Sequence, residues 1–451
     1  MLPLFLSMKV YFISLGCDKN SVDTSMMLGI LDKAGHVIVM DVEDADAVVI
    51  NTCAFIQDAK KESIDTILEM EALKNNGTIK YIVVTGCLAE RYKDEIEKSI
   101  PSVDVMLGIQ GFDQIAQKLK ELEDGIGASN CFPELSEAPI CGKERMLTGQ
   151  THFAYMKIAE GCNKRCTYCA IPRFRGLYRS VPMDTLIAEA TELAGRGVKE
   201  LILVAQETTI YGVDLYGEKK LPEVLRNICK IDGIEIVRIL YCYPEEITDE
   251  LIDVIATEPK IAHYIDMPIQ SGSDEILKRM GRRAREGELR ELIAKLRERI
   301  PDICIRTTLI AGFPGETNTN YKETLRFVED MRFDRLGVFT YSPEEGTVAA
   351  TMNHQVPGIV KTMRRNGIMR IQQKISYEKA KECIGRRVDA IVDGKLIEDG
   401  VYVCRTYRDV PDVDGYVFVQ SDRDILSGSI IKVEIVGAKE YDLIGEEVTE
   451  E

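Results

Sequence analysis

At 451 residues the chain is too long for one core, which predicts two to four domains. Hydrophobic residues make up 45% and charged residues 29%, ordinary for a globular protein in water, and no uncharged apolar run is long enough to span a bilayer. Lysine and arginine total 57 against 74 aspartates and glutamates, a formal charge of −17, which weighs against a broad phosphate-gripping surface because nucleic-acid affinity rests mostly on cations.

The opening MLPLFLSM is apolar but lacks a basic n-region and a cleavage motif, so it makes a poor signal peptide. A cytoplasmic location is expected, with Met8 as an alternative start. From residue 8 to 140, short apolar runs (KVYFISLGC, DAVVINTC, YIVVTGC, VDVML) alternate with helical stretches such as SMMLGILDKAG and AKKESIDTILEMEALK. That alternation predicts an α/β domain, a doubly wound parallel sheet with helices on both faces. Residues 125–148 carry glycine, proline and polar residues without a period and read as a linker.

The alternation restarts at 148 and runs to 375. Six candidate strands (FAYMKIAEG, KELILVAQ, IEIVRILY, HYIDMPIQ, ICIRTTLIAG, RLGVFTYS) suit a partial TIM-like (β/α)6 barrel whose site lies at the strand C-terminal ends. The helical stretch TMRRNGIMRIQQKISYEKAKECIG leads into residues 376–445, where only short β segments follow, the pattern of a small closed β-barrel.

Thirteen cysteines, an odd number, favour metal or redox chemistry over a disulfide framework. Cys162, Cys166 and Cys169 form a C-x3-C-x2-C loop after the first barrel strand. Three thiolates can hold three irons of a cubane and leave the fourth open, as catalytic metal sites do. Tetrahedral zinc is the alternative, but no nearby Cys or His supplies a fourth ligand. Cys17, Cys53 and Cys87 stand 36 and 34 positions apart, yet each ends an apolar strand. In a parallel sheet those ends open on one edge, where ligands bind, so a second open cluster is expected there. The alternative is that they are small core residues. The remaining seven cysteines show no ligand spacing and read as structural.

The C-x3-C-x2-C motif, with Tyr168 before its last cysteine and set on such a barrel, resembles the radical S-adenosylmethionine (SAM) superfamily. The resemblance implies that the methionyl group of SAM chelates the open iron and that reduction yields a 5′-deoxyadenosyl radical. Over the whole chain, the three-cysteine domain, radical SAM barrel and TRAM-like β-barrel resemble the methylthiotransferases, which convert C–H to C–S–CH3 with two 4Fe-4S clusters. SLGCDKNSVD (14–23), NTCAFIQDAKKESIDTILE (51–69), YSPEEGT (341–347) and CRTYRDVPDVDG (404–415) resemble the ribosomal-protein (RimO-type) branch, whose substrate is an aspartate of the twelfth small-subunit protein. IQSGSDEILKRM (269–280) and Val181 in YRSVPMD depart from that branch.

The resemblance implies six catalytic, metal-binding cysteines, Cys17, Cys53, Cys87, Cys162, Cys166 and Cys169. It also implies cofactor contacts at Tyr168, at Gln206 and Thr208 of LVAQETTIYG, and at Gly312 and Gly315 of AGFPGET. A reducing partner such as flavodoxin or ferredoxin is implied too. Residues 376–451 hold 10 Lys and Arg against 18 Asp and Glu, which suits a basic ribosomal protein better than exposed RNA; the bland alternative is a solvated acidic face. A tRNA-modifying relative and a non-catalytic iron–sulfur carrier are the rival readings.

Overall fold

The computed structural model describes residues 7–396 and 400–448; most of the opening apolar run, residues 1–6, lies outside them. The first unit is a parallel sheet of β1 (Lys9–Ser14), β2 (Val37–Val39), β3 (Ala47–Thr52), β4 (Tyr81–Gly86) and β5 (Val105–Leu107), in the order β2-β1-β3-β4-β5. Its central strand AVVINT is buried at every residue, as a sheet covered on both faces requires. Strand order reverses between β1 and β3, so the crevice where ligands of such sheets bind opens between them. The sequence pattern does not reveal β2, whose three residues fall below the length of a recognisable run.

The first helix, Asp18–Lys33, begins seven residues before the apolar stretch that announces it. Its opening residues Lys19, Asn20, Asp23, Thr24 and Ser25 are polar and nonetheless buried. They hide the helical period because the helix is wedged between the sheet and the neighbouring barrel, where polar partners await them.

The second unit has six parallel strands: β6 (Phe153–Lys157), β9 (Glu200–Val204), β10 (Ile236–Ile239), β11 (Tyr264–Asp266), β12 (Cys304–Ala311) and β13 (Arg335–Thr340). They form two three-stranded halves, β6-β9-β10 and β11-β12-β13, joined by a single parallel bridge from Val237 to Ile261. A small antiparallel pair, β7 (Ala159–Glu160) and β8 (Arg179–Ser180), brackets the C-x3-C-x2-C loop. The long helix Gly358–Lys381 turns Arg364 inward onto Glu316 at 2.8 Å, so that part of its basic character is internal.

The third unit is a closed barrel of β14 (Arg387–Leu396), β15 (Val401–Arg405), β16 (Val417–Gln420), β17 (Ile430–Ala438) and β18 (Leu443–Glu447), in the order β14-β15-β16-β18-β17. Its loop 406–414 docks under the N-terminal ends of the larger barrel's strands. Arg238 donates to the Tyr407 carbonyl at 2.6 Å, Tyr264 donates to Asp414 at 2.8 Å, and Arg335 pairs with Asp409. Val410 is buried among Ile202, Val204 and Cys304. The net negative charge of residues 376–451 is therefore in part internal. Asp409 and Asp414 are buried against the arginines of the neighbouring domain, and Asp393 is shared by Arg405 and His152. Asp412 of the same stretch is exposed, and further carboxylates face solvent at Asp389, Asp422, Asp424, Glu440 and Glu446.

Candidate active site between two cysteine trios

The sheet delivers the first trio. Cys17 follows β1 and caps the helix Asp18–Lys33, Cys53 follows β3, and Cys87 opens the helix Cys87–Arg91 directly after β4. Two glycines let the turns close. Gly16 has φ +103°, and a Cβ there would sit 2.9 Å from Cβ of Cys53. Gly86 has φ +91°, and a Cβ there would meet the Thr52 carbonyl at 2.5 Å. Both positions therefore demand glycine on space and on backbone conformation.

Asn20 ties the turns together, donating to the Leu15 carbonyl at 2.9 Å and the Thr52 carbonyl at 3.0 Å. Burial, with Cys87 and Cys17 close by, pushes the Cys53 thiol up to about 12. Burial also raises the Cys87 thiol, against the pull of Arg175. Cys17 is exposed.

The second trio lies beyond β7. Burial pushes Cys162 up to about 11 and Cys169 up to about 12. The Lys164 amide donates to Sγ of Cys162 at 3.4 Å, and the Tyr243 hydroxyl lies 3.0 Å from Sγ of Cys166. Tyr168 packs edge-on against Phe313 with ring centroids 6.4 Å apart.

Among the described residues no group of three or more His, Cys, Asp or Glu side chains is gathered tightly enough for a single metal ion. A mononuclear site needs its sulfurs converging at about 2.3 Å on one point, whereas a cubane gives each thiolate its own iron and spreads them apart. Each trio offers three free thiols of mixed burial, so the donor sets fit such a group.

Between the trios runs a buried polar chain absent from the sequence reading. Arg175 donates to Sγ of Cys87 at 3.2 Å, to Asn20 at 2.7 Å, and to both Glu160 oxygens at 3.1 and 3.0 Å. Lys157, ending β6, bridges Glu160 at 2.8 Å and Asp23 of the first helix at 2.5 Å. Burial pushes the Glu160 carboxyl up, but Arg175 and Lys157 outweigh it and hold it well below the usual carboxylate range.

Gln206 donates to Glu160 at 2.8 Å. Its own Oε1, like Oε2 of Glu207, is buried without a hydrogen-bond partner. Oε2 of Glu207 does face Nζ of Lys164 at 3.8 Å, beyond hydrogen-bond reach; buried acceptors without a hydrogen bond fit a cationic ligand group. Glu207, within the 206–209 stretch but not singled out there, is pushed up to about 7 by burial. Thr208 turns away, its hydroxyl donating to the Leu240 carbonyl at 2.5 Å. A Cβ on Gly312 or Gly315 would meet protein, the side chain of Lys361 or of Arg279. These glycines shape the loop against its own neighbours.

Residues 9–108 match the family described as Uncharacterized protein family UPF0004, residues 156–328 the Radical SAM superfamily, and residues 384–448 the TRAM domain. The ribosomal protein uS12 methylthiotransferase RimO of Lachnoclostridium phytofermentans is 53% identical, covering 97% of this chain and 99% of that protein. The chain belongs to the RimO family. The RimO of Clostridium kluyveri is 47% identical over 97% of this chain and 98% of its own length. In fold the RimO-family chain is also similar to the radical SAM methyltransferase TsrM of Kitasatospora setae, with a TM-score of 0.55 at 13% identity, covering 88% of this chain and 81% of that one. The cobalamin-dependent radical enzyme OxsB gives a TM-score of 0.53 at 14% identity, over 83% of this chain and 56% of that one.

Replacing Arg175 by Met strips Glu160 of one of its two cations and leaves Asn20 and Cys87 without their donor. Breaking a buried pair in this way costs about 3–5 kcal/mol. A marked drop in thermal unfolding midpoint is expected, with partial recovery in Arg175→Lys.

Proposed function

We propose that this chain adds a methylthio group to the β-carbon of an aspartate in ribosomal protein uS12, using two 4Fe-4S clusters and SAM. Membership of the radical SAM superfamily and the RimO family supports the reaction class and the substrate protein. The observation that supports the two-cluster reading is a hydrogen-bonded link from the first trio to Glu160, two residues before the second. One trio stands at the carboxyl edge of the sheet and the other at the carboxyl end of the barrel, linked through Cys87, Arg175 and Glu160.

In this reading Cys162, Cys166 and Cys169 hold the cluster that binds SAM, and Cys17, Cys53 and Cys87 hold the one that presents sulfur. Bound together, the clusters and SAM supply the hydrogen abstraction and sulfur delivery that no protein acid or base can. The chain's own residues position and shield. Gln206 Oε1 and Glu207 Oε2, neither of them hydrogen-bonded, are offered to the methionyl ammonium of SAM, with Tyr168 inside the cluster loop. The domain limits stay at 8–140, 148–375 and 376–445. A flavodoxin or ferredoxin supplies the electron, and the reaction belongs to the cytoplasm. The exposed carboxylates of the small barrel favour a basic protein over a nucleic acid as the main contact.

Anaerobically reconstituted enzyme, offered uS12 and tRNA side by side, is expected to transfer sulfur and methyl to uS12 alone; methylthiolation of tRNA alone would overturn the reading. Iron and sulfide counts are expected to halve in Cys17→Ala and in Cys162→Ala, with SAM cleavage to 5′-deoxyadenosine surviving only in the former.

Glu207 gives a pH signature. Below about 7 it is protonated and neutral, and above that it is ionised, so a cationic ligand group is held more tightly as pH rises. SAM affinity measured by calorimetry is therefore expected to increase between pH 6 and pH 8, and Glu207→Gln is expected to flatten that rise.

A further inference from the structure

Lys19 is a buried cation at the seam between the two trios. It lies in the first turn of the helix Asp18–Lys33, two residues after exposed Cys17. Its ammonium is 3.2 Å from Oδ1 of Asp18 and 3.3 Å from the centroid of the Tyr241 ring. Tyr241 belongs to the other domain, just past the carboxyl end of β10, and carries φ +61°. A bulky residue in the left-handed region is a true outlier, held only where its surroundings insist. Here they do. The Tyr241 amide donates to Asp266 at 3.1 Å, its carbonyl accepts from Thr208 at 3.1 Å, and its hydroxyl donates to Asp18 at 3.1 Å. The strain places an aromatic face under the ammonium, beside the Gln206–Thr209 stretch.

Three other cations near this seam are committed to carboxylates distant in sequence or to two at once. Lys157 serves Asp23 and Glu160, Arg175 serves Glu160, and Arg306 serves Asp266 and Asp414. Among the described residues the one carboxylate paired with Lys19 is Asp18, its chain neighbour. Asp18 also accepts from the Tyr241 hydroxyl and from the Lys19 amide at 3.1 Å, so it stays held if the ammonium turns to another anion.

We propose that Lys19 is a specificity-determining residue that receives the carboxylate of the substrate aspartate. This rests on the reading of an aspartyl β-carbon as the target. A carboxylate entering a water-poor seam needs a cation to remain charged. That carboxylate is one bond from the reacting carbon, so fixing it fixes the carbon between the trios. An ammonium with no acceptor also discriminates against the amide of an asparagine, which cannot answer its charge.

The test uses the full-length reconstituted enzyme with uS12 and with uS12 whose modified aspartate, located by mass spectrometry, is changed to asparagine. Binding and turnover are measured for wild type, Lys19→Met and Lys19→Arg. Lys19→Met is expected to keep iron content and substrate-free SAM cleavage within about twofold, while affinity for the aspartate form falls 30-fold or more. Affinity for the asparagine form is expected to change little, collapsing the preference. Lys19→Arg is expected to restore part of it. An unchanged aspartate preference in Lys19→Met, or equal loss on both substrates, overturns the proposal. So does loss of iron or of SAM cleavage in both variants. Failure of the wild type to modify uS12 while still cleaving SAM marks a different error, that of the substrate reading itself.

Discussion

Asp23, Lys157, Glu160 and Arg175 are all shut away from water between the sheet and the barrel. Their desolvation is tolerable only because each answers another: Lys157 lies between Asp23 and Glu160, and Arg175 closes on Glu160 from the far side. Two of these groups belong to the barrel's first strands, one to the helix after Cys17, and one to the loop after Cys169. Asp23 carries the ion pairs that cross between the domains, to Lys157 at 2.5 Å and to Arg175 at 3.6 Å, and a docking that left it buried without them would cost about 3–5 kcal/mol. The network thus makes the mutual position of the two trios a property of the folded state, in place of a chance of docking.

The opposite end of the barrel obeys a similar rule with different residues. Glu200, the first residue of β9, is fully buried between Arg238 and Arg405, and Arg405 also holds Asp393. Burial pushes Glu200 up, while the two arginines draw it below the ordinary carboxylate range. From that floor a polar column rises through the barrel interior: Asp414 faces Arg306, Arg306 faces Asp266, and Asp266 holds the Tyr241 amide under Lys19. The small β-barrel therefore reaches the reaction end through side chains, without approaching it itself.

What the sequence shows and what it hides divide along this same line. Strands, the parallel order and six cysteines are legible because hydrophobic alternation and strand-end position are local signals. Arg175, Asn20 and Glu160 carry no such signal, since they matter only through partners that lie far away in the chain. Arg175 to Asn20 spans 155 positions. The DVPDVDG stretch shows the converse case. Its charge is plain in the sequence, but whether a carboxylate faces water or an arginine depends on which domain folds over it. Gln206 was legible as a polar loop residue, whereas Glu207 became notable only once its burial and its oxygen without a hydrogen bond were visible.

A third contact completes the geometry. Glu344, in the loop after β13, is buried and receives Lys60 at 2.9 Å and Arg91 at 3.0 Å, both from the first domain. Arg91 also donates to the Ala54 carbonyl at 3.1 Å, one residue from Cys53. The first domain is thereby held to the barrel at three separated places: at Lys157 on its first strand, at Tyr241 midway round, and at Glu344 past its last strand. Two contacts would leave a hinge axis between them, whereas three fix a plane. A reaction that must bring one carbon within reach of two centres on different domains tolerates little misplacement. Buried ion pairs between the two domains supply that rigidity.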